Sequence, residues 1–206
     1  MDSTVLKIRE FADSRLRLYV NNENMGFIKA FERAISLSKG EVIFLSDQDD
    51  VWLEEKVSEV CRHMIEENID LLFHDALVVD ERYNIIFKSF SDMRKITVNP
   101  FLNIISNSFT GCCMAFRASL KDYILPIPKK AIYHDRWIAI IAGLNGFRLQ
   151  FMDKQLIYYV RHGKNVSSLR RRKWKEVIKD RISLLTCLAE YYRRTLIYKI
   201  RDMYGD

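Results

Sequence analysis

Between Phe44 and Trp52 the chain reads FLSDQDDVW, three carboxylates within four positions directly after a short apolar run. Carboxylates that close repel one another, so the cluster calls for a counter-charge or a set of hydrogen-bond donors. In extended chain the side chains alternate, which puts Asp47 and Asp49 on one side and Asp50 on the other. Two carboxylates on one side can share a hard divalent cation, Mg²⁺ or Mn²⁺. Asp50 is placed to cap a helix starting near Val51, by accepting backbone N–H groups there. A calcium loop of the EF-hand type is excluded, because its glycine position is Trp52 and its terminal glutamate position is Ser58. The alternative to a metal site is a solvated acidic turn that caps a helix.

The elements around this cluster alternate. Val5, Ile8, Phe11 and Ala12 share one face of a short helix with Ser3 as a plausible cap, and Leu16–Val20 reads as a strand. Phe27, Ala30, Phe31, Ala34 and Ile35 make the apolar stripe of a helix that stops at Gly40. EVIFLS then reads as a strand buried on both faces, and Leu53, Val57, Val60, Cys61 and Met64 as a third helical stripe. This order predicts an α/β fold with a parallel sheet. Further on, DLLFHDALVVDERYNIIF predicts two strands around a turn at Asp80–Asn84, and Asp75 on the first of them is a loose candidate to face the cleft. FTGCCMAF predicts a strand, DRWIAIIAGLNG a helix, and FRLQFMD and QLIYYVRH two closing strands. In such sheets ligands bind beyond the carboxyl ends of the strands, where the acidic cluster lies.

Composition sets the outer bounds. The 206 residues are 49% hydrophobic and 29% charged, enough for a real core in one domain with an appendage. No segment reads as a signal peptide, and the longest apolar run, Trp137–Leu144, is too short to span a bilayer, so a cytoplasmic location is expected. The four cysteines form no C-x-x-C pair, which argues against zinc and for buried thiols. Charge is uneven: residues 166–206 carry 11 Lys/Arg against 5 Asp/Glu, so the whole surplus of +6 sits in the tail. From Trp174 to Met203 apolar residues recur at three- and four-residue steps, predicting one long or two shorter amphipathic helices with Arg and Lys on the other face. Such a tail can pack on the body or make peripheral contact with the inner face of a membrane. Nucleic acid is not an expected partner, because no RNA- or DNA-binding motif accompanies it.

NENMGFIKAFERAISLSKGEVIFLSDQDDVWLEEKV resembles the middle of a family 2 glycosyltransferase of GT-A fold, the rhamnosyltransferase-like group. The resemblance continues through FTGCCMAF, HDRWIAIIAGLNG and DKQLIYYVRHGKNVSS. It implies a partial GT-A domain over residues 1–167, an open and mostly parallel sheet with helices on both faces, followed by a basic helical extension over 168–206. It also implies transfer of a sugar from a nucleotide-sugar donor (a dTDP-, UDP- or GDP-sugar) to a glycan or lipid-linked glycan, in bacterial surface polysaccharide synthesis. Asp47 and Asp49 match the D-x-D carboxylates that hold Mn²⁺ or Mg²⁺ against the donor diphosphate, with His162 matching a histidine that reaches the metal or diphosphate. Asp135 matches the catalytic base, and a carboxylate at a helix N-terminus suits that role. Asp47, Lys29 and Asn24 are implied on the donor side. Gly111, Cys112 and Trp137 are implied on the acceptor side. His134 is expected to be local packing. A single base with a metal suits direct displacement with inversion.

The pattern departs from the family at its start. Members open with a strand carrying a P-x-Y-N-like motif, a helix, and a second strand ending in D-D-G-S-T-D, whereas this sequence opens on the stretch that follows them. The missing strands make much of the nucleotide pocket, so poor donor binding or none is expected of this chain alone. The alternative function is an inactive truncated remnant, or an interaction module of the same fold.

Overall fold

The computed structural model describes residues 3–11, 13–93, 95–162 and 173–204. Its elements in order are α1 (Thr4–Glu10), α2 (Gly26–Leu37), β1 (Val42–Phe44), β2 (Val51–Trp52), α3 (Lys56–Glu66), β3 (Leu71–Asp80) and β4 (Ile85–Phe87). There follow α4 (Pro100–Ile105), β5 (Met114–Arg117), α5 (Lys121–Ile124), α6 (His134–Leu144), β6 (Leu149–Arg161) and α7 (Trp174–Tyr204). The α/β class read from the alternation is the one observed.

The sheet runs β1-β5-β3-β6-β2, with β4 added to the end of β3 as a hairpin. β3 lies at its centre and is nearly all buried, because helices cover both faces. Alternation along the strand divides the core. Leu71 and Phe73 face α2, α6 and α7, together with Met114 and Phe116 of β5. Leu72 and Ala115 face the other way, onto Val60 and Met64 of α3. α6 is buried all round from His134 to Ala142, which its IAIIA run permits. Gly143 near its end lets α4 approach, since a Cβ there would sit 3.0 Å from the Pro100 ring.

Three expectations are corrected. Leu16–Val20 forms no strand. Leu16, Tyr19 and Val20 are exposed and find no sheet neighbour, and an extended segment without one gains no ladder bonds. The pairing is mixed: among the described residues only β3 and β6 pair in parallel, and the other pairs are antiparallel. β1, β3 and β6 do run in one direction, but β1 has β5 as its single partner among the described residues, so the parallel part stops there. Finally, the two closing strands are one 13-residue strand, bent where its register against β3 shifts around Asp75.

α7 is a single helix of 31 residues. Leu184, Cys187 and Leu188 on its inner face join the main core beside α6. The boundary expected between residues 167 and 168 lies outside the described residues. Among the described residues no helix is long and apolar enough to cross a membrane.

Candidate active site

β1 leads out of the sheet at Leu45, whose N–H donates to the Met114 carbonyl at 3.1 Å. The chain then turns through the acidic cluster and returns as β2, paired antiparallel to the far end of β6. That return corrects two expectations. Val51 and Trp52 are strand, not the start of a helix, and α3 begins only at Lys56. Asp50 therefore caps no helix; its Oδ1 accepts the Val160 backbone N–H at 3.2 Å. Asp49 is tied to the same strand end, its Oδ2 lying 2.8 Å from His162 Nε2. The acidic loop is thus clamped between the carboxyl ends of β1 and β6, with the Gly111–Cys113 turn before β5 on its other side.

The carboxylates crowd. Ligand atoms of Asp47, Asp50 and Cys112 all lie within 4.8 Å of one another. Burial pushes the Asp47 carboxyl up to about 6, and the charges of Asp50, Asp49 and Asp135 add to it. Burial also raises Asp50, opposed by the hydrogen bonds it takes from the Cys112 thiol and the Val160 N–H. Asp135 is close enough for its charge to act on Asp47. It occupies the first turn of α6, where its Oδ1 accepts the Arg136 N–H at 2.7 Å. Gly111 closes the gap between the two halves: a Cβ there would meet His134 Nε2 at 3.0 Å and Asp135 Cβ at 3.5 Å.

A cation fits this donor set on chemical grounds. Neighbouring carboxylate charges add to the raised proton affinity of Asp47 and Asp50, and a divalent ion relieves the same repulsion. The donors are oxygens, suited to Mn²⁺ or Mg²⁺. The Cys112 thiol is pushed well above its usual range by its contact with Cys113 and by burial, so it stays protonated and is a poor ligand.

The other expected site residues are placed differently. Cys112 is buried behind Asp47 and Asp50, and its carbonyl accepts from Lys56. Lys29 Nζ is held by Glu32 at 2.7 Å and by the Ile127 carbonyl at 3.0 Å, a strut from α2 to the segment before α6; none of these bonds reaches the acidic cluster. Asn24 Oδ1 accepts the Gly26 N–H at 2.9 Å and so shapes the entry to α2. Trp137 is corrected outright. It is 1% exposed, donates from Nε1 to the Ile124 carbonyl and meets Tyr191 of α7 edge to face, so it is core and not a sugar platform. His134 stacks on Phe31 at 3.8 Å, as the packing role anticipated, and burial lowers its proton affinity. Asp75 is likewise spent within the body, accepting the Ala76 and Phe90 N–H groups and the Ser89 hydroxyl.

Two cations were missed by the sequence reading. Lys56 is 0% exposed, with its Nζ 3.8 Å from the Trp52 ring centroid and 2.9 Å from the Cys112 carbonyl. Burial lowers it to about 8, which leaves it cationic at neutral pH, and its charge partly offsets Asp47 and Asp50. Arg136, buried beside the base candidate, donates to the Asn103 and Ile104 carbonyls and fixes α4 against α6.

Residues 1–124 match the family model described as Glycosyl transferase family 2. The chain belongs to glycosyl transferase family 2. Among curated relatives of this family 2 chain, it is 29% identical over 146 residues to the UDP-Glc:alpha-D-GlcNAc-diphosphoundecaprenol beta-1,3-glucosyltransferase WfgD of Escherichia coli, covering 70% of this chain and 55% of that protein. It is 23% identical over 163 residues to the uncharacterized glycosyltransferase MJ1057 of Methanocaldococcus jannaschii, covering 75% and 54%. The chain thus spans about half the length of the curated relatives it matches. Residues 1–349 of S. aureus TarS, solved with UDP-GlcNAc, superpose with a TM-score of 0.61 at 19% identity, over 90% of this chain and 55% of that one. The UDP complex of the same TarS segment gives 0.57 at 20% identity, over 78% and 48%. These likenesses show the fold of the family 2 chain, GT-A-like α/β with an added C-terminal helix.

Proposed function

We propose that this chain carries the acceptor half and the metal-binding loop of a sugar transferase. It moves a sugar from a nucleotide-sugar donor to an acceptor hydroxyl with inversion, in the synthesis of a bacterial surface polysaccharide. The observation that supports the reading is the crowding of Asp47 and Asp50 around Cys112, next to the Gly111 that abuts Asp135, with Asp49 and Asp50 held at the end of β6. UDP in the name of the Escherichia coli relative and in the TarS complexes favours a UDP-sugar donor, and the same relative's name favours a lipid-linked diphosphate acceptor.

Asp135 takes the proton of the acceptor hydroxyl as its oxygen attacks the anomeric carbon. One base and no covalent intermediate give inversion. A Mn²⁺ or Mg²⁺ held by Asp47 and Asp49, with Asp50 and His162 next to them, supplies charge neutralisation for the departing nucleoside diphosphate. Lys56 sits beneath this cluster, holding the Cys112 carbonyl and so the Gly111–Cys112 turn that borders the acceptor side. A second reading, an inactive module of the same fold, is favoured by the edge of β1 that has no strand beside it among the described residues.

Transfer from UDP-sugars to a lipid-linked diphosphate acceptor, with Mn²⁺ present, tests the first reading. Asp135→Asn is expected to abolish transfer while a UDP-dependent melting shift persists. Undiminished turnover in that variant removes Asp135 as base, and the absence of any shift with UDP favours the inactive module.

A further inference from the structure

Between Leu184 and Tyr191 one face of α7 packs on the body, while a different face is apolar and exposed along the whole helix. Leu184, Cys187, Leu188 and the half-buried Tyr191 pack inward and fix the rotation of the helix. At 3.6 residues per turn, a second sector roughly 80° wide holds Trp174, Ile178, Ile182, Leu185, Leu196 and Met203. All six are exposed, Trp174 at 68%, Ile182 at 60% and Met203 at 75%. The remaining positions of the sector, Ala189, Tyr192 and Ile200, are uncharged too. The stripe therefore runs unbroken along a helix about 46 Å long. An exposed apolar surface of that length on a folded protein marks a contact site.

Charge selects the occupant. Lys175 and Arg193 border the stripe on one side, Arg181 and Lys199 on the other. The acids of the helix, Glu176, Asp180, Glu190 and Asp202, lie on the remaining circumference. A second copy of the same stripe would bring two rows of like charge together. An anionic lipid surface meets an apolar stripe with basic margins favourably on both counts. Beside the N-terminal half of α7, the Arg181 guanidinium holds the Ile105 carbonyl of α4, where Phe101, Leu102 and Ile105 are also exposed. Trp174 adds an aromatic ring of the kind that settles at headgroup level.

We infer that α7 lies flat on an anionic membrane surface, its Trp174–Met203 stripe in the headgroup boundary and its inner face holding the folded body against the bilayer. The inference does not depend on the transferase reading, because its readout contains no sugar.

The test is co-sedimentation of the full chain with vesicles of phosphatidylcholine alone or mixed with phosphatidylglycerol. Binding is expected to the mixed vesicles only, weakened by added salt, with a blue shift of tryptophan emission that Trp174→Phe removes. Each basic residue near an anionic surface contributes about fivefold to binding, so Lys175→Glu with Arg193→Glu should weaken it by at least about twentyfold. Ile182→Glu with Leu196→Glu should abolish it without lowering the melting temperature, since both side chains are exposed. Absence of binding to the mixed vesicles overturns the proposal, as does binding that survives both double variants. A concentration-dependent dimer that the Ile182→Glu and Leu196→Glu changes dissolve also overturns it, assigning the stripe to a second copy.

Discussion

Replacing Asp47 by asparagine should make the metal-free protein more stable. A carboxyl raised from 3.8 to about 6 is one whose charge the native state disfavours. The difference corresponds to about 3 kcal/mol at neutral pH. Asp47 is only partly buried, and solvent screening brings the expected gain to about 1–2 kcal/mol. The sign follows from proton binding. Between pH about 6 and 3.8 the native state holds more protons at this site than the unfolded chain, so stability rises as pH falls through that window. Above about 6 the full penalty applies; below 3.8 it is gone. Urea unfolding of wild type and Asp47→Asn with a chelator present, repeated across this window, isolates the contribution as a difference curve. The variant should be the more stable at neutral pH, and the two should converge as pH falls. An Asn variant that is equally or less stable at neutral pH, or a difference that does not change with pH, would refute the crowded, buried carboxylate on which the site rests.

Lys56→Met leaves the Cys112 carbonyl unpaired and should cost about 1–3 kcal/mol in urea unfolding. It should also move the Asp47-dependent part of the stability curve to higher pH, because a compensating cation is gone. Gly111→Ala drives a methyl to 3.0 Å from His134 Nε2, and that ring is stacked on Phe31 and cannot easily swing away. Displacing Asp135 should cut transfer at least about tenfold with a small loss in melting temperature, and Mn²⁺ binding should be kept.

The parts of this molecule read from the sequence are those fixed by local periodicity. The helices α2, α3 and α6, the hairpin at Asp80–Asn84 and the long α7 all follow from the spacing of apolar residues. The errors fall where a distant partner decides. Val51–Trp52 looked like a helix start because Leu53 and Val57 continue at helical spacing, yet pairing with Ile157 and Tyr158 makes it a strand. Leu16–Val20 has strand-forming residues, but a strand needs a neighbour and none of the described residues supplies one. Trp137, an aromatic near a helix start, suits a cleft or a core equally well, and it is the Ile124 carbonyl together with Tyr191, 54 positions later in the sequence, that places it in the core. The burial of Lys56 depends on an aromatic ring and a remote carbonyl, which no local pattern announces. The acidic run was legible as a run, but what holds Asp50 and Asp49, the Val160 N–H and His162 at the end of β6, lies more than 100 residues away.

Titration calorimetry of the chain with Mn²⁺ near neutral pH tests the central claim most directly. One binding site is predicted, lost in Asp47→Ala, strongly weakened in Asp49→Ala and retained in Asp135→Asn. Heat that is absent in the wild type, or unchanged when Asp47 is removed, would contradict a cation held by the acidic loop.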